Sequence, residues 1–260
     1  MVLRRPAGPL ARGLTLAAAI GLAITACGPA PSTVTRAGSG LRTIEAGAGQ
    51  LPFLLIHGYG SSADEWLPFT HTIALPQGRR FVMPQGPEQT RPPDGPWRGR
   101  AWWRLGLDEH RRPGDGLPDL SRTAPAGLAE SNRLVRTLMA ELATAGGYQR
   151  ERQMLAGYSQ GGMVAADIAF TTDEPLEALV LLSTTIVNEP AWRAGLLRRR
   201  GLRVFISHGR GDAMLPFDLA DRLQRAMRDA GLQVTWYPFE GGHEMPAEVV
   251  VALNRFLASR

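Results

Sequence analysis

The sequence predicts an α/β protein with a mostly parallel central sheet covered by helices on both faces. Six short apolar runs recur from residue 51 onward, and segments with apolar residues at three- and four-residue spacing fill the gaps between them. Parallel strands joined by helical crossovers require that alternation. At 260 residues the chain is long enough for one large domain with a substantial core, and too short for two ordinary domains and a linker.

Residues 1–26 read as an export leader, with Arg4, Arg5 and Arg12 ahead of an apolar run over 14–24. That run is too short to span a bilayer comfortably. It closes in Leu22-Ala23-Ile24-Thr25-Ala26-Cys27-Gly28, which resembles the bacterial lipoprotein signal, where the cysteine is lipidated and becomes the mature N-terminus. An ordinary cleaved signal with an incidental cysteine is the alternative. Cys27 is the sole cysteine, so no disulfide can form within the chain and the folded domain offers no thiol nucleophile. Residues 27–45 are expected to be a flexible tether, because Ser, Gly and Pro there cannot bury a face. The tether would leave one folded domain over 46–260, lipid-anchored at the cell envelope.

Strands are predicted over 51–56, 80–83, 153–158, 178–183, 203–208 and 233–238, and helices over 126–145, from 160, over 218–230 and over 246–258. In the last helix Val249, Val250, Leu253, Phe256 and Leu257 form one apolar stripe, which reads as core packing. Residues 84–125 break the alternation with a Pro-, Gly- and Arg-rich stretch of no sustained period. Loops this long are commonly functional or mobile. The formal net charge is +5 and every basic residue is Arg. Arg4, Arg5 and Arg12 fall in the leader, and the clusters over 98–112 and 198–200 read as solvated faces, so no nucleic-acid partner is expected.

Gly157-Tyr158-Ser159-Gln160-Gly161 stands between an apolar strand and a helical pattern carrying Met163, Val164, Ile168 and Phe170. That is the context of a nucleophile elbow, where a sharp strand-to-helix turn projects the serine hydroxyl and flanking glycines let neighbouring backbone approach. The string alone is a weak signal in a chain with 30 Gly; its position strengthens it. A serine hydroxyl needs a base within hydrogen-bond reach, and the base needs a carboxylate to fix its other nitrogen. In elbow proteins of this kind the partners follow in the order Ser, acid, His, which leaves His208 and His243 of the five histidines. His243 is the better base, since Glu240-Gly241-Gly242-His243-Glu244 is a loop that can reach across the carboxyl edge of the sheet. His57, His71, His110 and His208 are read as structural. Asp212, just beyond the strand at 203–208, is the acid; Asp218 and Asp221 fit the outer face of a helix, and Glu240 and Glu244 lie too near His243 in sequence. For an oxyanion, the N–H of Gln160 and that of Tyr59, in Ile56-His57-Gly58-Tyr59-Gly60, are the two donors.

With these segments the chain resembles the phospholipase/carboxylesterase family of α/β hydrolases, which includes acyl-protein thioesterases and small bacterial carboxylesterases. The resemblance runs from about Leu51 to the C-terminus. It rests on Ile56-His57-Gly58-Tyr59-Gly60, Gly157-Tyr158-Ser159-Gln160-Gly161-Gly162, Ser207-His208-Gly209-Arg210-Gly211-Asp212 with Leu215-Pro216, and Gly242-His243. It implies the α/β-hydrolase fold and hydrolysis of a small-molecule carboxylic ester or thioester through an acyl-enzyme, with no metal or organic cofactor. Ala101-Trp102-Trp103 looks like the family's short Trp-containing segment near the acyl site, which makes Trp102 and Trp103 candidate pocket walls, with Trp97 and Trp236 beside them. Plain core packing is the alternative for these rings. A peptidase or amidase on the same fold, or an envelope binding protein without turnover, are the rival functions.

Overall fold

The structure is a computed structural model that describes residues 30–90, 99–105 and 119–259. Cys27, Trp97 and His110 lie outside the described residues, as does the expected leader. Six strands run parallel: β3 (Leu51–Ile56), β4 (Arg79–Pro84), β7 (Met154–Tyr158), β8 (Ala178–Leu182), β9 (Arg203–Gly209) and β10 (Gln233–Phe239). Two more, β1 (Ser32–Thr35) and β2 (Arg42–Ala46), extend the sheet antiparallel beyond β4, giving the order β1-β2-β4-β3-β7-β8-β9-β10. A separate two-stranded pair joins β5 (Glu88–Gln89) to β6 (Arg100–Ala101).

Period-2 side-chain geometry sorts the central strands into two cores. Leu54, Ile56, Leu155, Leu179, Leu181, Val204 and Ile206 pack with α1 (Leu128–Gly146), α2 (Gln160–Thr171), α3 (Glu189–Leu196) and α4 (Phe217–Asp229). Phe53, Leu55, Met154, Ala156, Val180, Leu182 and Phe205 face the other way, onto α5 (Ala247–Ala258) and the 3-10 segment Asp64–His71. Val249, Leu253, Phe256 and Leu257 of α5 are buried there, as the apolar stripe requires.

The expected tether needs correction. Residues 32–46 carry β1 and β2, so the folded domain begins ahead of residue 46. Ile44 and Ala46 are buried in the core, and Glu45 takes ion pairs from both Arg36 and Arg80. β1 itself is polar and mostly exposed; it is a strand because β2 supplies its backbone partners from Ser32↔Glu45 to Thr35↔Arg42. Such an edge needs no apolar alternation, which is why composition pointed elsewhere. The short helix α3 was also outside the sequence expectation: Pro190 and Gly195 mask its pattern, while Trp192 anchors it in the core.

The chain leaves β3 for β4 on one side of it and later returns as β7 on the other. That reversal falls at the carboxyl ends of β3 and β7, the position at which open α/β sheets take their ligands.

Candidate active site

Ser159 follows β7 directly and precedes α2, with φ 52° and ψ −119°, a conformation that costs a non-glycine residue free energy. The turn is enforced by excluded volume. A Cβ at position 157 would stand 2.2 Å from the Gly161 carbonyl oxygen, and one at 161 would stand 2.2 Å from that of Ile56 in β3. Backbone bonds fix the rest: Ser159 N–H donates to Leu182 O at 2.9 Å, and Thr184 Oγ1 donates to Ser159 O at 2.9 Å.

Three residues nominated from sequence converge on this turn. The Ser159 hydroxyl lies 2.9 Å from His243 Nε2, and His243 Nδ1 donates to Asp212 Oδ2 at 2.7 Å. Because a carboxylate only accepts, the proton sits on Nδ1 and leaves Nε2 to accept from the hydroxyl. Asp212 is buried just past β9, and its Oδ1 takes the N–H groups of Met214 and Leu215, each at 2.9 Å. Burial pushes its carboxyl upward, but hydrogen bonds from His208, His243 and the Leu215 backbone outweigh that and hold it well below the usual range. His208, fully buried, donates from Nε2 to Leu215 O at 2.8 Å with Asp212 Oδ2 3.2 Å away, so it supports the acid without reaching Ser159. The competing carboxylates stay apart: Asp218 is exposed, Asp221 pairs with Arg225, and Glu240 pairs with Arg210.

Two side chains that sequence reasoning passed over moor the loop that carries His243. Tyr158 Oη donates to the His243 carbonyl at 2.9 Å, and Ser183 Oγ donates to the Glu244 carbonyl at 3.0 Å. Burial raises the Tyr158 phenol far above its ordinary value, which keeps the hydroxyl a donor.

On the other side of Ser159 lies the loop after β3. Gly58 comes so close that a Cβ there would meet Ser159 Cβ at 3.2 Å, and Tyr59 is the next residue in the chain. His57 is locked behind it: Gly86 N–H donates to Nε2 at 2.9 Å, leaving Nδ1–H for the Gly58 carbonyl at 2.7 Å. Burial lowers its pKa to about 4, so the ring is neutral. Gln160, whose N–H opens α2 at the elbow, is 1% exposed.

The profile of the Phospholipase/Carboxylesterase family matches residues 47–260. The chain belongs to that family. Its sheet and helices superpose on a carboxylesterase from Mesorhizobium loti with a TM-score of 0.69 and 16% identity, over 88% of this chain and 99% of the other. The esterase PE8 gives a TM-score of 0.66 at 23% identity, over 88% and 96% of the two chains. Among sequences, MhqD of Bacillus subtilis (strain 168) is 26% identical over 137 residues, which is 50% of this chain and 67% of MhqD. The fold is therefore that of the α/β hydrolases.

The two rings of the Trp-containing segment are buried. Trp102 and Trp103 are 1% and 2% exposed and sit within the core that α1 and α2 share. Their backbone is claimed by Gln160 and by Ser131 Oγ, which donates to Trp102 O at 2.6 Å. Trp236 is half-buried and stacks on Phe217, with ring centroids 5.6 Å apart. Two adjacent tryptophans in a Gly- and Arg-rich stretch carry no periodicity that separates a core role from a pocket role; only the packing does. Among the described residues no group of His, Cys, Asp and Glu is arranged to hold a metal ion, and no helix is long and apolar enough to cross a membrane.

Proposed function

We propose that this chain is a serine hydrolase that cleaves small-molecule carboxylic esters or thioesters through an acyl-enzyme. Ser159 Oγ attacks the carbonyl as its proton passes to His243 Nε2, while Asp212 holds the ring and stabilises the imidazolium. The N–H groups of Gln160 and Tyr59 take the oxyanion. His243 then gives its proton to the leaving alkoxide or thiolate and, as base again, activates the water that releases the acid. No step calls for a metal or organic cofactor.

One observation carries the reading: a single imidazole lies 2.9 Å from Ser159 and 2.7 Å from Asp212, although those residues stand 84 and 31 positions away in the chain. A fluorophosphonate is expected to label Ser159 in the native protein and not in Ser159→Ala. A panel of short-chain nitrophenyl esters, acyl thioesters and aminoacyl amides should give turnover on the first two classes. Turnover confined to amides would make the protein a peptidase, and neither label nor turnover would make it a binding protein. The proposal also holds the protein at the cell envelope through a lipid on Cys27, which mass spectrometry of the mature N-terminal peptide would detect.

A further inference from the structure

The side chain of Gln160 makes contacts that the reaction itself does not use. Its Oε1 accepts the Trp102 N–H at 2.9 Å and its Nε2 donates to the Trp103 carbonyl at 2.9 Å. The amide thus bridges the backbone of two successive residues inside the core. The segment it grips is tied in turn to both flanks of Tyr59. Trp102 Nε1 donates to the His57 carbonyl at 3.0 Å, Gly60 N–H donates to Arg100 O at 2.9 Å, and Arg100 N–H donates to Ser61 O at 2.7 Å.

We propose that Gln160 is a positioning residue for the oxyanion hole: acting through residues 100–103, its side chain sets where the Tyr59 N–H stands relative to its own N–H. This rests on the hydrolase reading above. The two donors belong to different elements, the loop after β3 and the start of α2, and no covalent path shorter than a hundred residues joins them. Oxyanion stabilisation needs both to converge on one oxygen, and a misplacement of about 1 Å costs up to about a hundredfold in rate. Beyond the β3–β7 ladder, which ends at Ile56 and Gly157, Gln160 links the two with one residue that carries a donor on its backbone and the brace on its side chain.

The test uses Gln160→Met, which keeps length and apolar volume but loses both amide bonds, and Trp102→Phe, which cuts only the link to His57 O. With p-nitrophenyl acetate as substrate, Gln160→Met is expected to lower kcat about 10- to 100-fold with KM within about threefold, and to weaken a boronic-acid transition-state analogue in proportion. Trp102→Phe should follow in the same direction by about 3- to 10-fold. In both, hydrogen exchange of the amides over 57–61 should quicken. A kcat within twofold of wild type in both variants, or a loss of kcat with unchanged boronate affinity, overturns the positioning role. Should Gln160→Met fail to fold, Trp102→Phe carries the test alone. Exchange is read without turnover, so the two readings fail separately. An inactive, unlabelled wild type removes the hydrolase reading, and unchanged exchange over 57–61 removes the brace.

Discussion

The turn that bears Ser159 and the loop that carries His243 meet over one hydrogen bond, yet they are held differently. Around Ser159 the constraint is steric: carbonyl oxygens lie 2.2 Å from where a Cβ at 157 or 161 would sit, and α2 is buried from Gln160 to Phe170. Around His243 two hydroxyls, Tyr158 Oη and Ser183 Oγ, hold two successive carbonyls; the loop backbone lies close on β9, where a Cβ at 209 would stand 2.2 Å from the Gly242 carbonyl oxygen, but its outer side is open, and a Cβ at 242 would meet nothing within 4 Å. A close-packed interior has nowhere to put an extra atom, so the elbow is fixed all at once or lost. Hydrogen bonds at a half-exposed loop can be removed one at a time, so the placement of His243 is adjustable by degrees.

The largest expected effect tests the polar side with the loop left in place. Asp212→Asn keeps the shape of the acid but presents a donor to His243 Nδ1, and kcat on an ester should fall by about four decades with the far-UV spectrum unchanged. On the steric side, Gly161→Ala drives a methyl into the Ile56 carbonyl and should cost about 3 kcal/mol or more by urea unfolding. A loss under about 1 kcal/mol would erase the contrast between the two regions.

The buried side should also show in acid. The folded pKa of His57 is about 4, against about 6.5 in the unfolded chain, so between those values the unfolded state binds a proton that the folded ring refuses. Stability is therefore lost as pH falls from about 6.5 to about 4, by on the order of 3 kcal/mol, and this contribution levels off below. Urea unfolding at pH 7.5 and pH 4 should reveal the loss, and His57→Gln should flatten it. Asp212, whose carboxyl is held low, contributes with the same sign in a more acidic window: its stabilisation is complete above the ordinary Asp range and is lost only as pH falls below it.

Two smaller effects sharpen the comparison. Tyr158→Phe keeps the ring beside His243 and removes one mooring, so kcat should drop by about 3- to 10-fold with KM unchanged, the worth of one hydrogen bond. Gly242→Ala should leave stability within about 0.5 kcal/mol and kcat within about twofold, because the added methyl enters open space. If Gly242→Ala proves as damaging as Gly161→Ala, the outer side of the His243 loop is sterically fixed as well.

Much of the scaffold was legible because it is locally encoded. The central strands are buried on both faces and appear as continuous apolar runs bounded by turn residues; β3 is observed over the expected span of 51–56 and β7 within one residue of its expected start. The elbow was legible because strand, Gly-x-Ser-x-Gly and helix are consecutive. The edge strand β1 and its neighbour β2 were not, since β1 depends on a partner for its form and its residues carry no apolar face. Nor were the roles of Tyr158, Ser183 and the Gln160 side chain, whose partners lie 85, 61 and 57–58 residues away. Nor was the burial of Trp102 and Trp103, for the same reason: burial is a property of what packs around a ring.

By itself the sequence determined the alternation of strands and helices, the turn that bears Ser159 and the order in which Ser159, Asp212 and His243 follow one another. Those follow from backbone sterics and side-chain period, which act between near neighbours. The tertiary structure decided which histidine after Ser159 stands beside its hydroxyl, which nitrogen of that ring carries the proton, and that the second histidine stands beside Asp212 instead. These are distances between segments many tens of residues apart. They are set only when β7, β8, β9 and β10 stack side by side and bring their carboxyl ends to one edge.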